Sequence, residues 1–68
     1  MERKVVDSML VLTVGEYGII RVFEHILLDN GKIFAKKIIY DVCLDYGEGD
    51  IVASFNKFID ARKWAKEN

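Results

Sequence analysis

A turn sequence, Asp29-Asn30-Gly31, divides the most apolar part of the chain into two runs of similar length. Ile19–Leu28 precedes the turn and Ile33–Val42 follows it. Glycine adopts positive φ at little cost, and Asp and Asn favour turns, so this arrangement is typical of a β-hairpin. A hairpin fixes which side chains share a face of the sheet, and this constrains the fold more than any other feature of the sequence.

Three further segments have the composition of regular elements. Val5–Val14 is rich in Val, Leu and Thr, which is typical of a strand, and Ile51-Val52-Ala53 predicts a short fourth strand. Lys57–Lys66 has its apolar residues at helical spacing, with Ser54 or Asn56 as the expected N-cap.

The sequence therefore predicts an α+β fold in a single small domain over residues 1–68. It is a three- to four-stranded antiparallel β-meander with one C-terminal helix packed on one face (β-β-β-(β)-α). One alternative stays open, in which Val22–Leu28 forms a helix, because short apolar runs are ambiguous. The β-branched and aromatic residues of this run favour the strand.

Both predicted hairpins fit three-residue loops, in which a type I turn is followed by glycine in the left-handed conformation. The two loops would be Glu16-Tyr17-Gly18 and Asp29-Asn30-Gly31. The resulting register places Glu24 opposite Lys36 as an oppositely charged pair. A two-residue loop at the second turn would pair Glu24 with Lys37 and mix polar pairs into both faces, so we prefer the three-residue register.

In this register the helix covers one apolar face through Phe58, Ala61 and Ala65, with Ile59 and Trp64 at the edges. The strand residues assigned to that covered face are Val6, Leu10, Leu12, Val14, Ile20, Val22, Ile26, Phe34, Ile38, Tyr40 and Val42.

The opposite face is also largely apolar, whereas the solvated face of an antiparallel sheet should be polar. Exposed apolar patches usually mark interfaces, so we expect a partner to bind there. The alternative is that strand twist, the N-terminal segment or a loop covers this face. The predicted partner-binding residues are Val11, Ile19, Arg21, Phe23, His25, Leu27, Ile33, Lys37 and Ile39.

The small size of the chain points to association with another chain. Domains of this length usually add disulfides, a metal or oligomerisation to a limited core. Cys43 is the only cysteine and His25 the only histidine, so neither an internal disulfide nor a Cys/His metal site is expected. The expected occupant of the open face is a partner protein or a second copy of the chain, since two-fold homodimers are the commonest oligomers.

Charge and hydropathy exclude several other partner classes. The chain has 10 basic and 11 acidic residues. This balance lacks the excess of basic residues typical of duplex-DNA binders and the excess of acidic residues typical of DNA mimics. Single-stranded nucleic acid is the alternative partner, through Phe23 with Arg21 and Lys37. No apolar run reaches the length of a membrane span, and no secretory signal is recognisable. With a lone cysteine, these features predict a cytoplasmic protein.

No residue pattern predicts catalysis or a cofactor. The expected cross-strand neighbours of His25 are Met9 and Ala35, which supply neither a nucleophile nor an orienting carboxylate. Asp41 and Asp45 flank Cys43 and should raise the pKa of its thiol, so we interpret Cys43 as a packing residue. The acidic loop Asp45–Asp50 lacks the ligand spacing of an EF-hand. A solvated loop is the favoured interpretation, with adventitious calcium or a basic partner as the alternative.

We therefore expect a small non-enzymatic protein-interaction module, with single-stranded nucleic-acid binding as the alternative. In length and in the lack of catalytic groups, the chain also resembles small accessory proteins of phages and mobile elements. That resemblance implies a further alternative, inhibition of a host enzyme by binding to it. It rests on size and composition and not on a motif.

Overall fold

Four antiparallel strands form one sheet, and a helix packs on one of its faces. The computed structural model describes all residues 1–68. The predicted α+β meander with its C-terminal helix is confirmed, with the strands in the order β1-β2-β3-β4. The alternative helix at Val22–Leu28 is wrong, because Val22–Leu27 lies in β2. The elements are β1 (Glu2–Val14), β2 (Tyr17–Leu27), β3 (Ile33–Cys43), a 3-10 turn (Asp45–Gly47), β4 (Ile51–Phe55) and α1 (Phe58–Glu67).

The start of the helix differs from the prediction. Lys57 is the N-cap of α1, and no side chain caps the first turn. Ser54 lies within β4, where its hydroxyl donates a hydrogen bond to Asp41 on β3 at 2.6 Å. Asn56 lies between the two elements without a capping role. The helix start therefore depends on packing of its apolar side more than on a capping side chain.

The first hairpin turn is shorter than predicted. Val14 pairs with Tyr17, so the loop is Gly15-Glu16 and not Glu16-Tyr17-Gly18. Gly15 has φ 57°, the conformation that a type II′ turn requires at its first central position. Tyr17 and Gly18 therefore belong to β2, and the pairing of β1 with β2 differs from the predicted register.

The second hairpin turn forms as predicted. The Leu28 amide donates to the Lys32 carbonyl oxygen at 2.8 Å, which closes the three-residue loop Asp29-Asn30-Gly31. Gly31 has φ 83°, the left-handed conformation expected at the end of this loop. The Asn30 side-chain oxygen accepts a hydrogen bond from the Lys32 amide at 3.0 Å, which adds a local contact that favours the turn.

A β-bulge directly after this turn changes the register of the hairpin. Leu27 pairs with Ile33, whereas Ile26 pairs with Ala35, so Phe34 is the extra residue on β3. Beyond the bulge, Glu24 pairs with Lys37, as in the register of a two-residue loop that we expected to be less favourable. A shift of one residue moves every later β3 side chain to the other face relative to β2, so the predicted division of faces is wrong.

The helix packs on the face of β2 that was expected to be open. Ile19 and Val42 pair across β2 and β3, and both side chains are fully buried. Ala61 and Ala65 of α1 are also buried and cover this pair. Complete burial of an aliphatic side chain of this size stabilises a fold by about 1.5–3 kcal/mol. This small cluster is the centre of the core.

Aromatic contacts hold the two ends of the helix against the sheet. Tyr17 packs edge-on against Trp64 with ring centroids 5.4 Å apart, and Tyr40 packs against Phe58 in the same way at 5.8 Å. The predicted helix contacts of Phe58, Ala61 and Ala65 are therefore confirmed. Ile59 does not close an edge of the core, because its side chain is 61% exposed.

The 3-10 turn packs against the opposite face of the sheet, beside Gly18. A Cβ atom on Gly18 would lie 2.4 Å from the backbone nitrogen of Gly47, so no larger residue fits this position. Asp45 and Tyr46 both have positive φ, of 53° and 59°, in order to make this close approach. The Tyr46 amide is held by the Glu16 carbonyl oxygen at 2.8 Å.

The observed register predicts a specific charge coupling. Lys37→Glu would place a carboxylate directly opposite Glu24, and we expect it to lower the free energy of unfolding by about 0.5–1 kcal/mol. Lys36→Glu is the matched control, because Lys36 pairs with His25. Urea denaturation of both variants measures the effect. A larger loss of stability in Lys36→Glu than in Lys37→Glu would contradict the register.

Candidate protein-interaction surface

The sheet extends well beyond the helix. The chain measures 43 × 20 × 16 Å, and its radius of gyration is 13.1 Å, against about 11 Å for a compact domain of this length. We call the end that carries α1, β4 and the 3-10 turn the head. The three-stranded remainder, residues 2–9 and 22–38, is here called the arm. No helix covers either face of the arm.

The arm exposes large apolar side chains. Every residue of β1 from Glu2 to Leu10 is exposed, and Phe34 at the bulge is 60% exposed. In the whole chain only 7 of 68 residues are buried, and the core cluster of four lies in the head. The other exposed apolar residues of the arm are Val5, Val6, Met9, Leu28, Ile33 and Ile38.

The face opposite the helix carries apolar residues between the charged residues Arg3, Glu24 and Lys37. Val22 and Ile39 pair on this face, as do Ile26 and Ala35. At its head end the 3-10 turn touches the face, since a Cβ atom on Gly47 would lie 3.1 Å from Ile20. Beyond that contact no helix packs on it; Val22 is nevertheless buried, with 7% of its surface exposed. We call this surface the helix-free face; its apolar residues are Val5, Leu10, Ile20, Val22, Ile26, Ala35 and Ile39.

The charges of the helix-free face balance within it. Glu24 lies between Arg3 and Lys37, with Arg3 Nε 3.3 Å from Glu24 Oε2 and Lys37 on the neighbouring strand. The Glu24 side chain is only 15% exposed. Even so, Glu24 Oε2 is buried without a hydrogen bond of good geometry. The face therefore contains a nearly buried carboxylate whose hydrogen bonding the single chain leaves incomplete.

The helix-bearing face of the arm has a different character. Lys4, His25 and Lys36 form one row across the three strands, and none of them has an acidic partner in the structure. Beside this row, Phe23 and Ile38 pair across β2 and β3. An open depression of about 410 Å³ lies between the row and this pair.

The predicted partner-binding residues are divided between the two faces. Ile19 lies in the core, and Val11 packs against the core from a bulge in β1. Lys37 and Ile39 lie on the helix-free face, as predicted for residues outside the helix-covered face. The remaining predicted residues share the helix-bearing side of the sheet: Arg21, Phe23, His25, Leu27 and Ile33.

Arg21 is held inside the helix-bearing face. Its guanidinium lies 5.4 Å from the centre of the Phe23 ring, and Nη2 donates to the Met9 sulfur at 3.0 Å. Arg21 Nε is buried without a hydrogen-bond partner. The guanidinium covers one side of Phe23, so both side chains are partly engaged within the chain.

The titratable groups singled out in the sequence do not form a reactive site. The neighbours of His25 across the strands are Lys4 and Lys36, and not the predicted Met9 and Ala35. Cys43 is buried beside Gly18, and burial raises the pKa of its thiol, with a further contribution from the Asp41 carboxylate. Such a thiol stays protonated and unreactive at neutral pH.

The acidic loop is closed by its own backbone hydrogen bonds. The Gly47 and Gly49 amides both donate to the Leu44 carbonyl oxygen, and the Leu44 amide donates to the Asp50 backbone carbonyl oxygen. No group of three or more His, Cys, Asp or Glu side chains in the structure is placed to hold a metal ion. The one helix is also too short to cross a membrane.

No protein-family model, curated protein or solved structure matches the chain, so comparison with known proteins does not indicate a function for this surface.

Sequence reasoning missed most of the helix-free face. Ile20, Val22 and Ile26 were assigned to the helix-covered face, because both faces of β2 are apolar and alternation alone does not say which one the helix covers. The one signal available was Gly15, since a Gly-X pair favours a two-residue II′ turn. That loop length gives the observed pairing at the start of the first hairpin.

Proposed function

We propose that this protein is a small non-enzymatic interaction module that binds protein through its helix-free face. The observation that supports the proposal is the face itself. Val5 and Leu10 are exposed there, and Ile26 and Ile39 are partly exposed, on a sheet surface that no helix covers. A solvated sheet face should be mainly polar, whereas this face has more apolar residues than the polar residues Arg3, Ser8, Glu24, Lys37 and Asp41. Uncovered apolar surface of this kind usually marks a protein interface.

The distribution of surface agrees with a binding role. The accessible surface is 4838 Å², about one-tenth more than the roughly 4,400 Å² typical of a folded monomer of this mass. The arm makes this excess, since it adds length without adding core. A partner that covers the arm would supply the burial that the isolated chain lacks.

Site-specific photo-crosslinking tests the proposal even when the partner is unidentified. With a photo-reactive phenylalanine derivative at position 39, in cells that produce the protein, we expect protein adducts. The same group at position 59 is the control, because Ile59 is more exposed than Ile39 but lies on the helix. Random collisions would therefore favour the control. No adduct from position 39, or equal yields from both positions, would contradict the proposal.

A second candidate function is the binding of single-stranded nucleic acid to the helix-bearing face of the arm. The observation that favours it is the row of Lys4, His25 and Lys36 beside Phe23. Lys4 and Lys36 flank His25 on the two neighbouring strands, and a phosphate bound over this row would lie close to both positive charges. Phe23 would offer a ring for base stacking. Glu2 and Asp7 lie on the same face and weaken its positive potential, which places this function second.

Binding of a fluorescent oligonucleotide, followed by anisotropy at low salt, checks the second candidate. We expect Lys36→Glu to weaken binding by about tenfold and to lower its salt dependence by about one phosphate contact. Lys63→Glu on the exposed side of α1 is the control and should leave binding unchanged. If the wild-type protein does not retain the oligonucleotide at low salt, this candidate is wrong.

A further inference from the structure

We infer that the occupant of the helix-free face is a second copy of this chain, packed face to face about a two-fold axis. The inference rests on the proposed function and names its partner. Two sheets that pack in this way lie about 10 Å apart, with the side chains of their inner faces in contact. Ile39, which is partly exposed, would lie near the centre of that contact, beside Val22, which is already buried within one chain.

Charge complementarity supports a second copy. Arg3 and Lys37 balance Glu24 and Asp41 on the helix-free face, so two such faces can meet without net repulsion. A strongly charged partner would find no opposite potential there.

The area of the face sets the strength of the dimer. From Ile20 to Ile26 the three strands span about 24 Å by 14 Å, or about 340 Å² in projection per copy. Two copies contribute about 700 Å² of projected area. The accessible surface area is larger, because the side chains project from the sheet. Stable interfaces bury about 1,200–2,000 Å² in total, so this dimer belongs to the weak and reversible class.

The edge of β1 is a poorer site for self-association than the face. The outer edge of β1 has no neighbouring strand, so it could in principle pair with another chain. However, β1 is bulged between Val5 and Asp7 and again between Leu10 and Leu12. It also carries the charged run Glu2–Lys4. Bulges and charges at an edge oppose strand addition, whereas the charges of the helix-free face balance one another.

Sedimentation equilibrium over a concentration series from about 1 µM to about 1 mM tests the inference. We expect wild-type protein to change from monomer to dimer within this range. Ile39→Asp should raise the dissociation constant by at least about 100-fold, because both copies would bury a carboxylate in the interface. Ile38→Asp is the matched control, since Ile38 is its chain neighbour on the opposite face. Circular dichroism verifies that both variants are folded.

Each outcome separates this inference from the proposed function. A wild type that stays monomeric, combined with adducts of another protein from position 39, would overturn the second copy and retain the interaction module. A dimer that Ile38→Asp weakens as much as Ile39→Asp would overturn the assignment to the helix-free face. A monomeric wild type without adducts from position 39 would overturn both. A dimer lost only in Ile39→Asp supports both.

Discussion

The contact between Ile19 and Val42 beneath Ala61 and Ala65 determines how the rest of the molecule is arranged. It is the only place where a paired position of the sheet is completely removed from water, so it decides which face receives the helix. Once Ile19 faces the helix, the alternation of β2 turns Ile20, Val22 and Ile26 to the other side. Because the chain has one helix and it packs on the Ile19 side, no helix packs on that other side.

Much of the fold follows from local patterns in the sequence. The turn at Asp29-Asn30-Gly31, the four strands and the buried side of the helix could all be predicted, since each depends on residues close together in the chain. The register could not, because it depends on the bulge at Phe34 and on the loop at Gly15-Glu16. Both faces of β2 are apolar, so the hydrophobic pattern accepts either register and gives no warning of an error.

The error in register changed which residues belong to the candidate site but not the reason for proposing one. The sequence indicated that a single helix would leave one apolar face uncovered. The structure has such a face, with Val22 and Ile26 in place of Phe23 and Leu27. The helix-bearing side of the arm, by contrast, contains the basic row around His25. The two faces therefore differ in chemistry. The predicted register hid this difference, because it assigned residues of both faces to the same side of the sheet.

We propose that two copies bury their helix-free faces against each other. An isotope-filtered NOE experiment on a mixture of labelled and unlabelled protein, at a concentration where the dimer predominates, tests this arrangement. We predict intermolecular contacts among the methyl groups of Leu10, Ile26 and Ile39, since these are the exposed or partly exposed residues of the proposed interface. Intermolecular contacts confined to Phe23 and Ile38, or none at all, would contradict the account.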